Sequence, residues 1–167
     1  ITILVPRGYP FCVPIVIERS DIIPHHVDWH VSPQGICCLD AEQSLLAMSK
    51  TGIILTDFIA EKIYTFFANQ LHKLESERYA GEEYAHHTAG TIQYYLEDLK
   101  TPSVEKTIAI LQMVLTNSGL GRNEKCPCAS GLKLKHCHLQ AIETIKSFGY
   151  KRILSDLESI KVHLAEI

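Results

Sequence analysis

The chain has 167 residues, 46% of them hydrophobic, and a formal net charge of −3 at neutral pH. That length holds one domain with a sizeable core plus a small appendage, and the apolar content excludes a disordered polymer. The charge gives no reason to expect a nucleic-acid partner, and no apolar run reaches the ~18 residues of a membrane span.

Ile1 to Val5 is an apolar strand, and Pro6 to Pro10 is a turn rich in breakers. Val13 to Glu18 is a second strand with a polar exit, followed by an irregular crossing from Ser20 to Val27 that contains Pro24. Asp28 to Asp40, DWHVSPQGICCLD, holds the only tryptophan, a glycine turn at Gly35, and the adjacent Cys37 and Cys38. A helical pattern starts directly after it. A helix N-terminus favours negative charge, so a thiolate delivered there is stabilised and nucleophilic. The competing reading is ordinary: two cysteines between Ile36 and Leu39 are commonly inert buried thiols.

Asp40 to Met48 has helical spacing, with Leu45 and Leu46 on one side, and Thr51-Gly52 interrupts it. From Ile53 to about Arg78, Leu55, Ile59, Ile63, Phe66, Phe67, Leu71 and Leu74 form a wide apolar face at 3.6-residue periodicity. Gly81 ends that helix. Glu82 to Leu99 is another helical pattern, kinked near Gly90, carrying His86 and His87. That histidine pair suits an acid–base group or a clamp on an incoming peptide near the cysteine; otherwise one caps or packs and the other is solvated. Thr101-Pro102-Ser103 breaks the chain and starts a helix over Val104 to Thr116, and Asn117 to Gly121 forms a hinge.

Residues 121–138 read GRNEKCPCASGLKLKHCH. A tight Cys126-Pro127-Cys128 turn and a closing Cys137-His138 pair supply four soft or borderline ligands, the set a structural tetrahedral zinc site requires. His136 competes with His138 for the fourth place. Redox-active cysteines are the lesser alternative, since so complete a ligand set ordinarily binds metal. Four protein ligands leave no open position for water or substrate, so zinc here is structural. Ala141 to Ile167 is one amphipathic helix or two, bent at Gly149, with Ile145, Phe148, Ile153, Leu157, Ile160 and Leu164 broadly on one side. Six cysteines in this uneven pattern are not a disulfide framework, which points to a reducing, cytoplasmic setting.

Two resemblances add to this reading. Residues 121–138 closely resemble the SEC-C motif, the zinc tail of the bacterial secretion ATPase, with Ala129 where the family has glycine. The resemblance assigns Cys126, Cys128, Cys137 and His138 as the ligands and implies a module that docks onto partners. Pro6, Tyr9, Pro10, Phe11 and Pro14, followed by Gly35, Cys38, Leu39 and Asp40, resemble ubiquitin-conjugating enzymes, especially divergent bacterial members. This resemblance covers roughly residues 1–100 and selects Cys38 over Cys37 as the nucleophile. Asp28-Trp29-His30 stands where the family has His-Pro-Asn, so His30 falls at the place of the asparagine that steadies the oxyanion or orients the loop.

The expected fold is therefore α+β: a partial ubiquitin-conjugating-like domain over 1–100, a connecting helix and hinge over 101–119, a SEC-C zinc module over 120–139, and a C-terminal amphipathic helix over 140–167. The family normally has a helix and two strands before the first strand seen here, which implies a preceding segment or a reduced fold. The implied activity is a thioester between Cys38 and the C-terminal glycine of a partner protein, then transfer to a lysine amine. Such proteins occur in ubiquitin-like modification operons and in antiphage operons of the cyclic-oligonucleotide type (CBASS). The conjugated partner would be a ubiquitin-like protein or the signalling nucleotidyltransferase. No nucleotide-binding loop is present, so adenylation of that carboxyl group would take place elsewhere. The competing class is a non-catalytic adaptor that works through its zinc module.

Overall fold

The computed structural model describes residues 1–81, 85, 87–118 and 120–166. They form an α+β chain in two compact units, Ile1–Tyr84 and Ala85–Ile167.

In the first unit, β1 (Thr2–Leu4) pairs antiparallel with β2 (Ile15–Ile17), in the register Thr2↔Ile17, Ile3↔Val16 and Leu4↔Ile15. The breaker-rich turn between them closes through Tyr9 N to Pro6 O and Phe11 N to Gly8 O. The ladder continues past β2 in single bridges, Ile17 to Ile36 and Val31 to Cys37, so the chain meanders through one more reversal. A 3-10 turn, Val27–Trp29, leads into that reversal. Then come α1 (Glu42–Thr51), α2 (Leu55–Phe58), a π-helical segment (Ile59–Tyr64) and α3 (Thr65–Ser76). Gly52 ends α1 at φ 91°. Val16, Ile23, Val31, Cys37, Ile53, Phe58, Ile63 and Phe66 form the core between the strands and the long helical run.

The π segment corrects the apolar face expected from a 3.6-residue period. Phe58 is fully buried, whereas Ile59, Leu71 and Leu74 are exposed. The buried positions are Phe58, Ile63, Phe66 and Gln70, and the five-residue step from Phe58 to Ile63 spans the π segment. One wider turn absorbs an extra residue and rotates everything after it relative to a regular helix.

The second unit packs α4 (His87–Leu99), α5 (Val104–Thr116), α6 (Leu139–Ser147) and α7 (Tyr150–Ala165). The expected boundary at residue 100 differs from this division, because α4 packs on α5, α6 and α7. Nor is α5 a connector: Ile110 and Leu111 are fully buried in the helical core. Tyr95, Leu99, Ile142, Ile145 and Ile160 of the same unit are likewise 1% exposed or less. The C-terminal apolar pattern is two helices, parted at Gly149 (φ 89°), and Leu164 lies outside the buried face. Within this core the buried Tyr95 hydroxyl donates to Asp156 Oδ2 (2.8 Å), and Arg152 Nε donates to Asp156 Oδ1 (2.8 Å). Among the described residues no helix is long and apolar enough to cross a membrane.

Candidate functional site

The two places the sequence singles out lie in different units. In the first unit, His30 to Cys38 is a hairpin. The Cys38 amide donates to the His30 carbonyl (2.8 Å), Ser32 N to Ile36 O (2.8 Å) and Gly35 N to Ser32 O (2.8 Å). Adjacent residues on a strand point to opposite faces, so Cys37 is buried in the core while Cys38 is exposed. Burial pushes the Cys37 thiol up to about 11. The Cys38 thiol is also raised, by partial loss of solvent. The structure thus joins Cys38 and His30 through their backbones. His30 is in the left-handed region (φ 51°), and its ring is tilted against Tyr79 with centroids 6.1 Å apart.

The sequence expectation put a thiolate at the mouth of the next helix. Asp40 takes that position instead. Its carboxylate accepts from Ala41 N (2.7 Å), Ser44 Oγ (2.8 Å) and Lys62 Nζ (2.5 Å). Cys38 lies four residues before Glu42, the first residue of α1, and the Asp40 carboxylate is nearer that helix end.

Two supports of the hairpin were not read from sequence. The first is Glu18, at the exit of β2 and only 2% exposed. Its carboxylate accepts from Ser20 N (2.7 Å), Asp21 N (2.9 Å), Ser20 Oγ and His25 Nε2 (2.8 Å). Burial raises its pKa, but those hydrogen bonds outweigh burial and hold it at about 2. His25 is raised in return, chiefly by its bond to Glu18. The Glu18 amide donates to the Gly35 carbonyl (2.8 Å), which ties this buckle to the hairpin turn. Gly35 has φ 81°, and a Cβ there would stand 2.5 Å from the Glu18 carbonyl oxygen, so only glycine fits. The second support is at the C-terminal end of α3. Lys73 Nζ lies 4.8 Å from the Trp29 ring centroid and donates to the Asp28 carbonyl (2.5 Å). The Tyr79 hydroxyl donates to the same carbonyl (3.2 Å). These partners are 45 and 51 residues away from Asp28 in the chain, beyond any local pattern.

In the second unit, Arg122 to His138 forms a small knuckle. Lys125 bridges to Lys133, Cys126 N donates to Leu132 O (2.8 Å), and Leu134 N to Glu124 O (2.8 Å). The buried Leu134 roots it in the core. Ligand atoms of Cys126, Cys128, Cys137 and His138 all lie within 4.8 Å of one another. His138 Nδ1 is 3.0 Å from Cys126 Sγ and 3.1 Å from Cys137 Sγ, and Cys128 Sγ is 3.5 Å from Cys137 Sγ. In a tetrahedral site with metal–sulfur bonds of ~2.3 Å, neighbouring sulfurs stand about 3.8 Å apart. The cluster is therefore at the spacing and donor chemistry of a tetrahedral soft-metal site. Burial pushes Cys126 up, whereas Cys128, despite its own partial burial, is drawn down by bonds from Ser130 and its neighbouring thiols. Ala129 holds φ 66°, the left-handed conformation that explains glycine at this place in the resembling motif. Of the three other histidines weighed from sequence, His136 is exposed and is not grouped with the three thiols, His86 lies outside the described residues, and His87 opens α4 in the second unit.

This knuckle is a SEC-C motif: residues 122–140 match that family. The chain is similar over 98 residues (31% identity) to the protein translocase subunit SecA of Nitrosococcus oceani, covering 58% of this chain and 10% of that protein. A stretch of 21 residues is 76% identical to SecA of Anaplasma marginale, 13% of this chain and 2% of that protein. The chain thus spans about a tenth or less of the length of these curated relatives. No solved structure matches.

Proposed function

We propose that this chain is a ubiquitin-conjugating-like enzyme fitted with a structural zinc module. Cys38 takes the C-terminal glycine of a partner protein as a thioester and passes it to a lysine amine. The observation that carries this reading is the division of labour between adjacent thiols. The cysteine designated by the Gly35-to-Asp40 pattern is the exposed one, and its neighbour is a core residue. The Glu18 buckle and the Lys73–Tyr79 clamp give that thiol a fixed platform. His30 shares the platform and orients the loop. In the second unit, Cys126, Cys128, Cys137 and His138 hold zinc as a closed structural site. The zinc module serves partner recognition in the cytoplasm. By family analogy the conjugated partner is a ubiquitin-like protein or a CBASS nucleotidyltransferase.

A non-catalytic adaptor is the second reading, favoured by the raised pKa of Cys38, which leaves the group a thiol at neutral pH. Intact-mass and non-reducing gel analysis of the protein expressed with its neighbouring genes separates the two. The enzyme yields a thiol-sensitive adduct that survives Cys37→Ala. In Cys38→Ser the adduct disappears or becomes a thiol-resistant oxygen ester. Absence of any adduct, with zinc still bound, assigns the adaptor. If a chelator removes zinc and thioester formation persists, the zinc module serves targeting and not chemistry.

A further inference from the structure

The first unit contains a second group of metal-ligand atoms. One ligand atom each of Glu18, Asp21 and His25 falls within 4.8 Å of the other two. His25 Nε2 is 2.8 Å from Glu18 Oε2 and 3.6 Å from Asp21 Oδ1. Carboxylate oxygens and imidazole nitrogens hold a divalent cation at ~2.0–2.2 Å, so neighbouring ligand atoms stand about 3.0 Å apart at right angles and about 3.4 Å apart at the tetrahedral angle. The two separations bracket those values, and a cation fits among the three atoms with small side-chain shifts. The two negative charges of the carboxylates balance it.

The imidazole is already held as a ligand is held. A Cβ at Gly35 would stand 3.1 Å from His25 Cε1, so the ring packs directly on the hairpin turn. The Pro33 backbone also bonds the ring, and proline has no N–H, so its carbonyl accepts. Nε2 faces the two carboxylates, which leaves Nδ1–H as the donor. Metal-bound histidines ordinarily give their second N–H to such an acceptor. Glu18 is oriented as firmly. Its buried carboxylate takes Ser20 N and Oγ on Oε1, and turns Oε2 to Asp21 N and His25. Asp21 stands at the open rim, with its side chain 85% exposed.

We propose that Glu18, Asp21 and His25 bind a divalent cation of the zinc class, through Glu18 Oε2, an Asp21 carboxylate oxygen and His25 Nε2, with water completing its shell. The imidazole favours zinc, iron or nickel over magnesium or calcium. Three protein ligands leave the coordination open on the Asp21 side. In the metal-free chain the proton between Nε2 and Glu18 holds the same place. The Glu18 amide bonds the Gly35 carbonyl (2.8 Å), so the cation ties the exit of β2 to the turn of the Cys38 hairpin. This site depends neither on the conjugation reading nor on the zinc knuckle.

The test uses the full chain, first given one equivalent of zinc, which the thiolates of the knuckle take in preference. Cobalt(II) is then added as the probe. The wild type should bind one further equivalent, with the weak visible bands of nitrogen and oxygen ligands. Sulfur-to-cobalt charge transfer marks any cobalt that enters the knuckle, so the two sites are scored separately. Saturating cobalt should also raise the thermal transition read at Trp29 by a few degrees, since the ion binds the folded unit alone. Asp21→Asn and His25→Gln should each weaken the cobalt site by about 10–100-fold or more and abolish that rise. Asp21 is exposed, so its substitution leaves the fold in place, and Trp29 fluorescence before cobalt is added checks this. A wild type without the nitrogen–oxygen cobalt bands overturns the proposal. So does cobalt affinity within twofold of wild type in Asp21→Asn, which would assign the ion to some other surface group.

Discussion

Replacing Glu18 with glutamine tests the platform under Cys38. The substitution keeps the volume and removes the charge on which Ser20, Asp21 and His25 converge. A carboxyl held at about 2 against an ordinary 4.5 corresponds to about 3 kcal/mol of native-state stabilisation at neutral pH. Allowing for residual solvent screening, roughly 2 kcal/mol is the expected loss in Glu18→Gln. For a unit of this size that lowers the melting temperature by about 8–16 °C. The sign follows from the direction of each shift. Glu18 is depressed, so its contribution is complete above pH 4.5 and disappears as pH falls toward 2. His25 is raised above 6.5, so its contribution is complete below 6.5 and fades as pH rises through its folded value. Trp29, the only tryptophan, packs against the core of this unit and lies beside the hairpin, so its fluorescence reports this unit. Urea titrations followed at Trp29 should show wild type and variant separated by roughly 2 kcal/mol at pH 6 and converging near pH 2. Curves that stay parallel from pH 6 to pH 2, or coincide throughout, refute the assignment of the buckle.

Phe58→Ala should cost about 3–5 kcal/mol and Ile59→Ala less than about 1 in the same Trp29 assay; the reverse order would mean a regular helix without the π segment. Ala129→Gly should stabilise the zinc-loaded knuckle by about 0.5–1 kcal/mol, the relief of ~1–2 kcal/mol of left-handed strain less the extra entropy of glycine. Thermal melts read by circular dichroism check it. Tyr95→Phe removes the hydroxyl that bonds Asp156 and should destabilise the second unit by about 1–3 kcal/mol, seen as a lower melting temperature with unchanged zinc content.

What could be read from sequence was local. The helix over Val104–Thr116 has the expected bounds because its signals are adjacent: Ser103 accepts from Lys106 N at the start, and Asn117 takes a left-handed φ of 51° at the end. The gathering of Cys126, Cys128, Cys137 and His138 was legible for the same reason, since a short loop brings them together whatever the rest of the chain does. The π segment was not, because the hydrophobic pattern around Phe58 and Ile59 fits a regular period equally well until tertiary packing chooses. The packing of α4 and α5 with the C-terminal helices was hidden too, because an amphipathic stripe does not name its partner. The Glu18–His25 and Lys73–Asp28 contacts join residues whose types are common on surfaces, and only the fold reveals that they meet.

The hairpin from His30 to Cys38 makes chemical identity a matter of parity. Cys37 and Cys38 are the same side chain on one strand, and the pleat alone decides which meets solvent. A one-residue shift in the register of this strand would exchange them, burying Cys38 and exposing Cys37. A change in this turn that shifts the register by two places leaves each thiol on the side it now faces.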